Sequence, residues 1–154
     1  MLPKCQEIRD QLAAAGVRVK LDADESQTPG WKFSEYEMRG VPLRLEIGPK
    51  DIEKASVFAA RRDTKAKASI PMAGLPDSVK ALLTEIQQNL LSRARAFRDD
   101  HTTSADTYDA FKATMEGRPG FVIAPWCGEA ACEAAIKTET QATIRNIPAG
   151  YEQA

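Results

Sequence analysis

Three charged side chains stand close together in one short stretch of this sequence: Glu37, Arg44 and Lys50, within Pro29-Gly30-Trp31-Lys32-Phe33-Ser34-Glu35-Tyr36-Glu37-Met38-Arg39-Gly40-Val41-Pro42-Leu43-Arg44-Leu45-Glu46-Ile47-Gly48-Pro49-Lys50-Asp51. A base splayed out of a single-stranded loop can be read on its Watson–Crick edge. Guanine offers two adjacent donors there, which a carboxylate such as Glu37 accepts; its O6 and N7 suit the donor fork of Arg44. Lys50 can then hold phosphate, as can a basic run further on. That run, residues 54 to 67, carries Lys54, Arg61, Arg62, Lys65 and Lys67 against Asp63 alone, a net +4. Local structure accounts for much of the same stretch without any ligand. Gly30 and Gly40 serve tight backbone, Pro42 and Pro49 punctuate a strand, Trp31 and Phe33 enter the core, and the charges face water. On the residues alone both readings stand.

The other reactive groups are sparse. Cys127 and Cys132, spaced C-x4-C, supply two of the four ligands a tetrahedral zinc site needs, an incomplete half-site. Their alternative is a pair of small buried apolar side chains, and Cys5 is read as packing. His101, the single histidine, follows a helix end and is read as a partner of its dipole. No Ser/His/Asp arrangement, P-loop or G-x-G-x-x-G is legible, so no catalytic residue is assigned.

The elements that must position these groups follow from periodicity. Ile8, Leu12 and Ala15 recur at helical spacing before Gly16, giving a helix over residues 3–15. Val17-Arg18-Val19-Lys20-Leu21 alternates as a half-buried strand does. A short helix over 30–39, closed by Gly40, leads to the strand Leu43–Ile47, with Leu43, Leu45 and Ile47 on one face and Arg44 and Glu46 on the other. A helical turn at Lys50–Lys54 and strands at 55–62 and 67–71 come next. The longest helix spans 77–99; its stripe of Val79, Leu82, Leu83, Ile86, Leu90, Leu91, Ala94 and Phe97 faces a core. Residues 101–104 read as a cap and turn. A helix over 105–116, a strand over 121–126, a helix over 128–139 and a strand over 143–147 complete the chain.

The fold class is therefore α/β: a sheet unit over 1–75, then the long helix and a smaller appendage over 76–154. Such a sheet ordinarily opens on a strand, whereas this chain opens on a helix. The expectation is a fragment that lacks its first strand and whatever precedes it. With 154 residues, 43% hydrophobic and 28% charged, and a net charge of −1, the composition is ordinary for one soluble domain or one with an appendage. No apolar run reaches the length of a membrane span and no signal peptide is visible. Three cysteines, an odd number, fit a reducing cytosol better than a disulfide framework.

Across nearly its whole length the sequence resembles the C-terminal part of prolyl-tRNA synthetases of the archaeal/eukaryotic-like type. The resemblance is carried by Gly16–Asp22, Pro29–Asp51, Arg61-Arg62-Asp63, Ala96–His101, Asp106–Lys112, Trp126-Cys127-Gly128 with Cys132-Glu133, and Glu139–Arg145. It implies the mixed-sheet anticodon-binding fold of class II synthetases, without its first strand, followed by a small α+β C-terminal domain. It places reading of the two anticodon guanines of proline tRNA on Glu37, Arg44 and Lys67, with Lys50 beside them; Arg61, Arg62 and Lys65 become candidate phosphate contacts. Some relatives hold zinc with four cysteines, and Asn146 stands where some have another cysteine. Tyr151 is not the family's terminal tyrosine.

The same resemblance implies a parent enzyme that joins proline to its tRNA with ATP and magnesium, using a catalytic domain absent from this sequence. This chain by itself is then expected to be inactive, to need no cofactor, and to have as partners proline tRNA and that catalytic domain, within a cytoplasmic homodimer. Two competing readings are a stand-alone nucleic-acid-binding module of the same fold and a small α/β redox protein using its cysteines.

Overall fold

The computed structural model describes residues 1–150; Tyr151 lies outside the described residues. The chain divides into two compact units, Met1–Arg93 and the remainder from Ala94, so the division falls inside the longest helix.

The first unit begins with helix α1 (Leu2–Ala14), followed by an extended segment, helix α2 (Pro29–Met38), strand β1 (Leu43–Glu46), the short helix α3 (Pro49–Glu53), strands β2 (Ser56–Arg61) and β3 (Lys67–Pro71), and helix α4 (Leu75–Asp100). The sheet is antiparallel in the order β1-β2-β3. Its register makes two chemically distinct faces, because directly opposed residues project to the same side. Leu43 and Leu45 pair with Arg61 and Ala59, and Val57 pairs with Ile70. This face meets Ile8 and Leu12 of α1 and Leu75 and Val79 of α4 in the core. Arg44 pairs with Ala60, which pairs in turn with Lys67, so Arg44 and Lys67 share the opposite face.

Local chemistry explains the element ends. Pro29 opens α2 behind Thr28, whose Oγ1 accepts from Trp31 N at 3.4 Å. The helix stops at Gly40, whose φ of +81° only glycine adopts at no steric cost. Gly40 N donates to Glu37 O at 3.1 Å and Val41 N to Tyr36 O at 3.0 Å, the paired bonds of a Schellman stop.

Residues 17–21 differ from the expected strand. Val17 and Val19 pack on the core while Arg18 and Lys20 are exposed, so the alternation is there, but the segment has no ladder partner among the described residues. Trp31, expected in the core, is 53% exposed.

In the second unit, strand β4 (Thr102–Ser104) pairs in parallel with β5 (Phe121–Ile123) across helix α5 (Tyr108–Gly117), and helix α6 (Ala130–Thr140) follows. Residues 101–104 thus hold a strand where a turn was expected: Thr-Thr-Ser has no apolar alternation, and only its partner defines it. The expected strand at 143–147 is irregular, exposed chain. His101 closes α4, its Nδ1–H donating to Phe97 O at 2.7 Å and its ring stacked on Phe97 at 4.0 Å.

Candidate nucleic-acid interface

Helix α2 and strand β1 are joined by a four-residue connection tight enough to bring their charged side chains together. Phe33 and Glu37, four residues apart, share one side of α2 and face Arg44 on β1. The Arg44 guanidinium carbon lies 3.7 Å from the Phe33 ring centroid, its NH1 stands 3.7 Å from Glu37 Oε1, and its Nε donates to Glu46 Oε1 at 2.9 Å. The planar cation is thereby fixed between an aromatic face and two carboxylates, with its side chain 19% exposed. Lys65, in the β2–β3 hairpin, reaches across to donate to Glu37 Oε2.

This bond, with the charges of Lys65, Arg44 and Arg62 behind it, outweighs the desolvation of Glu37 and holds its carboxyl below the usual range. Glu37 is therefore an ionised acceptor at neutral pH. The hollow between Phe33, Tyr36, Glu37, Arg44, Ala60 and Arg62 has a volume of only about 10 Å3, at the lower limit for one water. In this state the charged groups close on one another, and a base seated there must lie on the rim or exchange with these bonds.

The hairpin that delivers Arg62 and Lys65 is itself anchored. Arg61, opposite Leu43, points to the α4 side of the sheet, where it donates to Asp63 at 2.8 Å and also pairs with Glu85. Asn89 Nδ2 donates to the same carboxylate at 2.7 Å and Arg93 NH1 to the Asp63 carbonyl at 3.2 Å. The Asp63 side chain is 1% exposed. The Arg61 hydrogen bonds overcome that burial and hold its carboxyl far below the usual carboxylate range.

Arg61, expected to contact phosphate, is thus engaged inside the protein on the other face. Alternation along β2 is the reason, since neighbours on a strand point opposite ways. Arg62 continues to the pocket side: its N–H donates to Pro42 O at 2.9 Å, and its buried Nε has no hydrogen-bond partner among the described residues.

Lys67 lies in one cross-strand row with Arg44, two strand spacings or about 10 Å away, and is exposed. Lys50 is exposed in the first turn of α3, outside the pocket lining. Glu37, Arg44, Arg62 and Lys65 are therefore brought together, Lys67 borders them, and Lys50 and Arg61 are not part of the cluster. Sequence reading missed Phe33 and Tyr36 as walls of this site; the i, i+4 spacing of Phe33 and Glu37 was the available signal.

Comparison with known proteins decides the family. The family described as "Anticodon binding domain" matches residues 1–82, and "Prolyl-tRNA synthetase, C-terminal" matches residues 108–154. The chain belongs to the anticodon-binding domain family. It takes the form found in the C-terminal part of prolyl-tRNA synthetases.

It is 51% identical over 96% of its length to a proline–tRNA ligase of Acetoanaerobium sticklandii and 47% identical over 97% to one of Rubrobacter xylanophilus. A solved prolyl-tRNA synthetase from Cryptosporidium parvum, complexed with halofuginone and AMPPNP, superposes with a TM-score of 0.77 at 42% identity, covering 89% of this chain and 28% of that one. The chain spans 31% and 32% of the two curated relatives. The likeness agrees with the expected α/β class: an antiparallel sheet in the first unit and a parallel strand pair in the second. No helix among the described residues is long and apolar enough to cross a membrane.

Cys127 and Cys132, in the second unit, are both exposed, which overturns their reading as a buried apolar pair. They flank the start of α6. The backbone N–H of Glu129, and then the Cys132 thiol, lower the pKa of Cys127, while Cys127 raises that of Cys132. Among the described residues no group of three or more His, Cys, Asp or Glu side chains converges on a metal position. Two thiols do not fit a tetrahedral zinc site.

Proposed function

We propose that this chain reads the anticodon of proline tRNA as the C-terminal part of a proline–tRNA ligase. The observation that carries the reading is the meeting of Glu37 and Arg44 over Phe33 on one outward face. Three chemistries converge there: an ionised acceptor for the two Watson–Crick donors of guanine, a planar donor fork for O6 and N7, and an aromatic platform. Arg62, Lys65 and Lys67 border this point and supply the salt-dependent attraction to phosphate. Lys50 belongs to the proposal as a flanking cation one helix further on.

Attachment of proline to tRNA, by way of a prolyl-adenylate with ATP and magnesium, belongs to a class II catalytic domain of the parent enzyme. The present chain contributes recognition. Its other partner in this reading is that catalytic domain, and the parent acts as a cytoplasmic homodimer. The deciding experiment compares binding of proline tRNA with binding of a variant in which the two anticodon guanines are replaced. Loss of affinity for the variant supports the reading; equal affinity for both RNAs overturns it and leaves a binding module without anticodon specificity.

A further inference from the structure

Helix α2 has a second working side. Trp31, Glu35 and Arg39 recur every four residues along it and wall a separate open cleft of about 310 Å3, closed on the far side by residues 20–24. Tyr36 lines both this cleft and the Glu37–Arg44 pocket, so the two sites share one wall. The cleft is built on fixed groups. Asp22 accepts from Tyr36 OH at 3.0 Å and from Lys32 at 2.8 Å, and the Lys32 hydrogen bond is the main reason its carboxyl lies below the usual range. Lys20 sits 5.3 Å from the centroid of the Tyr36 ring. Arg39, 63% exposed, pairs with Glu35 at 2.5 Å.

An indole more than half exposed in the wall of a cleft is an uncommon arrangement for a residue that buries so much area when it packs. Its chemistry matches that of single-strand platforms, where an aromatic side chain stacks a base and neighbouring cations follow the backbone.

We propose that this cleft binds a nucleotide of the same RNA loop that flanks the guanines read at Glu37 and Arg44. The base stacks on Trp31, Glu35 accepts from its edge, and Lys20 and Arg39 meet the adjoining phosphates. The proposal rests on the reading above, because the Tyr36 wall shared with that site names the occupant. An open cleft that sets an indole and a phenol among the carboxylates of Asp22, Asp24 and Glu35 and the cations of Lys20 and Arg39 suits a base and its phosphate better than an apolar small molecule.

The test uses the full chain and a hairpin RNA bearing the proline anticodon loop, together with hairpins made abasic at each loop position in turn. Trp31→Ala is expected to weaken binding roughly 5- to 100-fold, and Trp31→Phe to keep most of it. Discrimination against guanine-replaced hairpins should persist in both. One abasic position outside the guanine pair should weaken the unmutated chain and cause little further loss with Trp31→Ala.

If Trp31→Ala binds as the unmutated chain does, as it would if the cleft served a protein surface, the proposal is overturned. It is likewise overturned if every abasic hairpin loses affinity equally with both proteins. The abasic scan on the unmutated chain does not depend on the variant folding: if no position outside the guanine pair matters, the cleft holds no base. Failure of the unmutated chain to discriminate guanine would instead sink the anticodon reading itself, a separate outcome.

Discussion

Lys65 donates to Oε2 of Glu37 although 28 residues separate them in sequence. The hairpin and the helix are thereby latched across the mouth of the pocket, with Arg44 behind the same carboxylate. The latch lowers the Glu37 pKa and also occupies the carboxylate, so RNA must exchange with a bond the protein already makes.

Removing the latch should be visible on the carboxylate. In Lys65→Ala the Glu37 pKa should rise towards the ordinary glutamate value, since the hydrogen bond from Lys65 is its chief lowering influence. Carbon-detected NMR titration reads this directly, and an unchanged Glu37 titration would mean the pair is not formed in solution. The same variant should lower affinity for every anticodon hairpin and flatten the salt dependence, because a phosphate contact carries no base information, and should change discrimination only at the guanine that the freed Glu37 carboxylate reads.

Arg44 should behave differently. Its substitution by alanine should cost about 1–3 kcal/mol of discrimination at one guanine. Arg44→Lys should not restore it, because an ammonium has neither the fork nor the flat face that lies over Phe33. Affinities for guanine and base-replaced hairpins measure the effect; identical profiles for the Arg44 and Lys65 variants would refute the division of roles.

The hairpin anchor predicts a pH dependence. Arg61, with Asn89, lowers the Asp63 pKa in the folded state. Its contribution to stability is then complete above the unfolded aspartate value of about 3.9 and is lost as pH falls below it towards the folded value. Denaturant unfolding between pH 5 and pH 2 should show this loss setting in below about pH 4. Asp63→Asn should remove that part of the slope and destabilise at neutral pH, because it leaves the guanidinium of Arg61, 12% exposed, with only the solvent-exposed Glu85 as an anionic partner.

In the second unit, a Cβ added at Gly120 would lie 2.5 Å from the His101 carbonyl oxygen, which accepts from Phe121 N at 2.7 Å. Gly120→Ala should therefore break the β4–β5 pairing and destabilise this unit by about 1–3 kcal/mol. Amide exchange at Phe121–Ile123 is the readout, and protection equal to that of the unmutated chain would contradict it.

Much of the fold was legible because its signals are local. Gly40 closes α2; the alternation in Leu43–Glu46 divides core from charge; the apolar stripe of α4 enters the core at Val79 and Ile86, although Leu91 and Phe97, read as part of the same core-facing stripe, are exposed. Segments 17–21 and 143–147 were misread as strands and 102–104 as a turn because a strand exists only through its partner, and partners lie far away in sequence.

The sequence by itself determined that a carboxylate and a guanidinium flank one glycine-stopped turn, and that a basic run follows. Only the tertiary structure decided which cations face the site. Register and alternation turn Arg61 to Asp63 and Glu85, bring Arg62 and Lys65 to Glu37, set Lys67 in line with Arg44, and leave Lys50 outside the cluster. Charge type is a property of a residue. Whether that charge is already paired depends on which neighbours the folded backbone brings within a few ångströms.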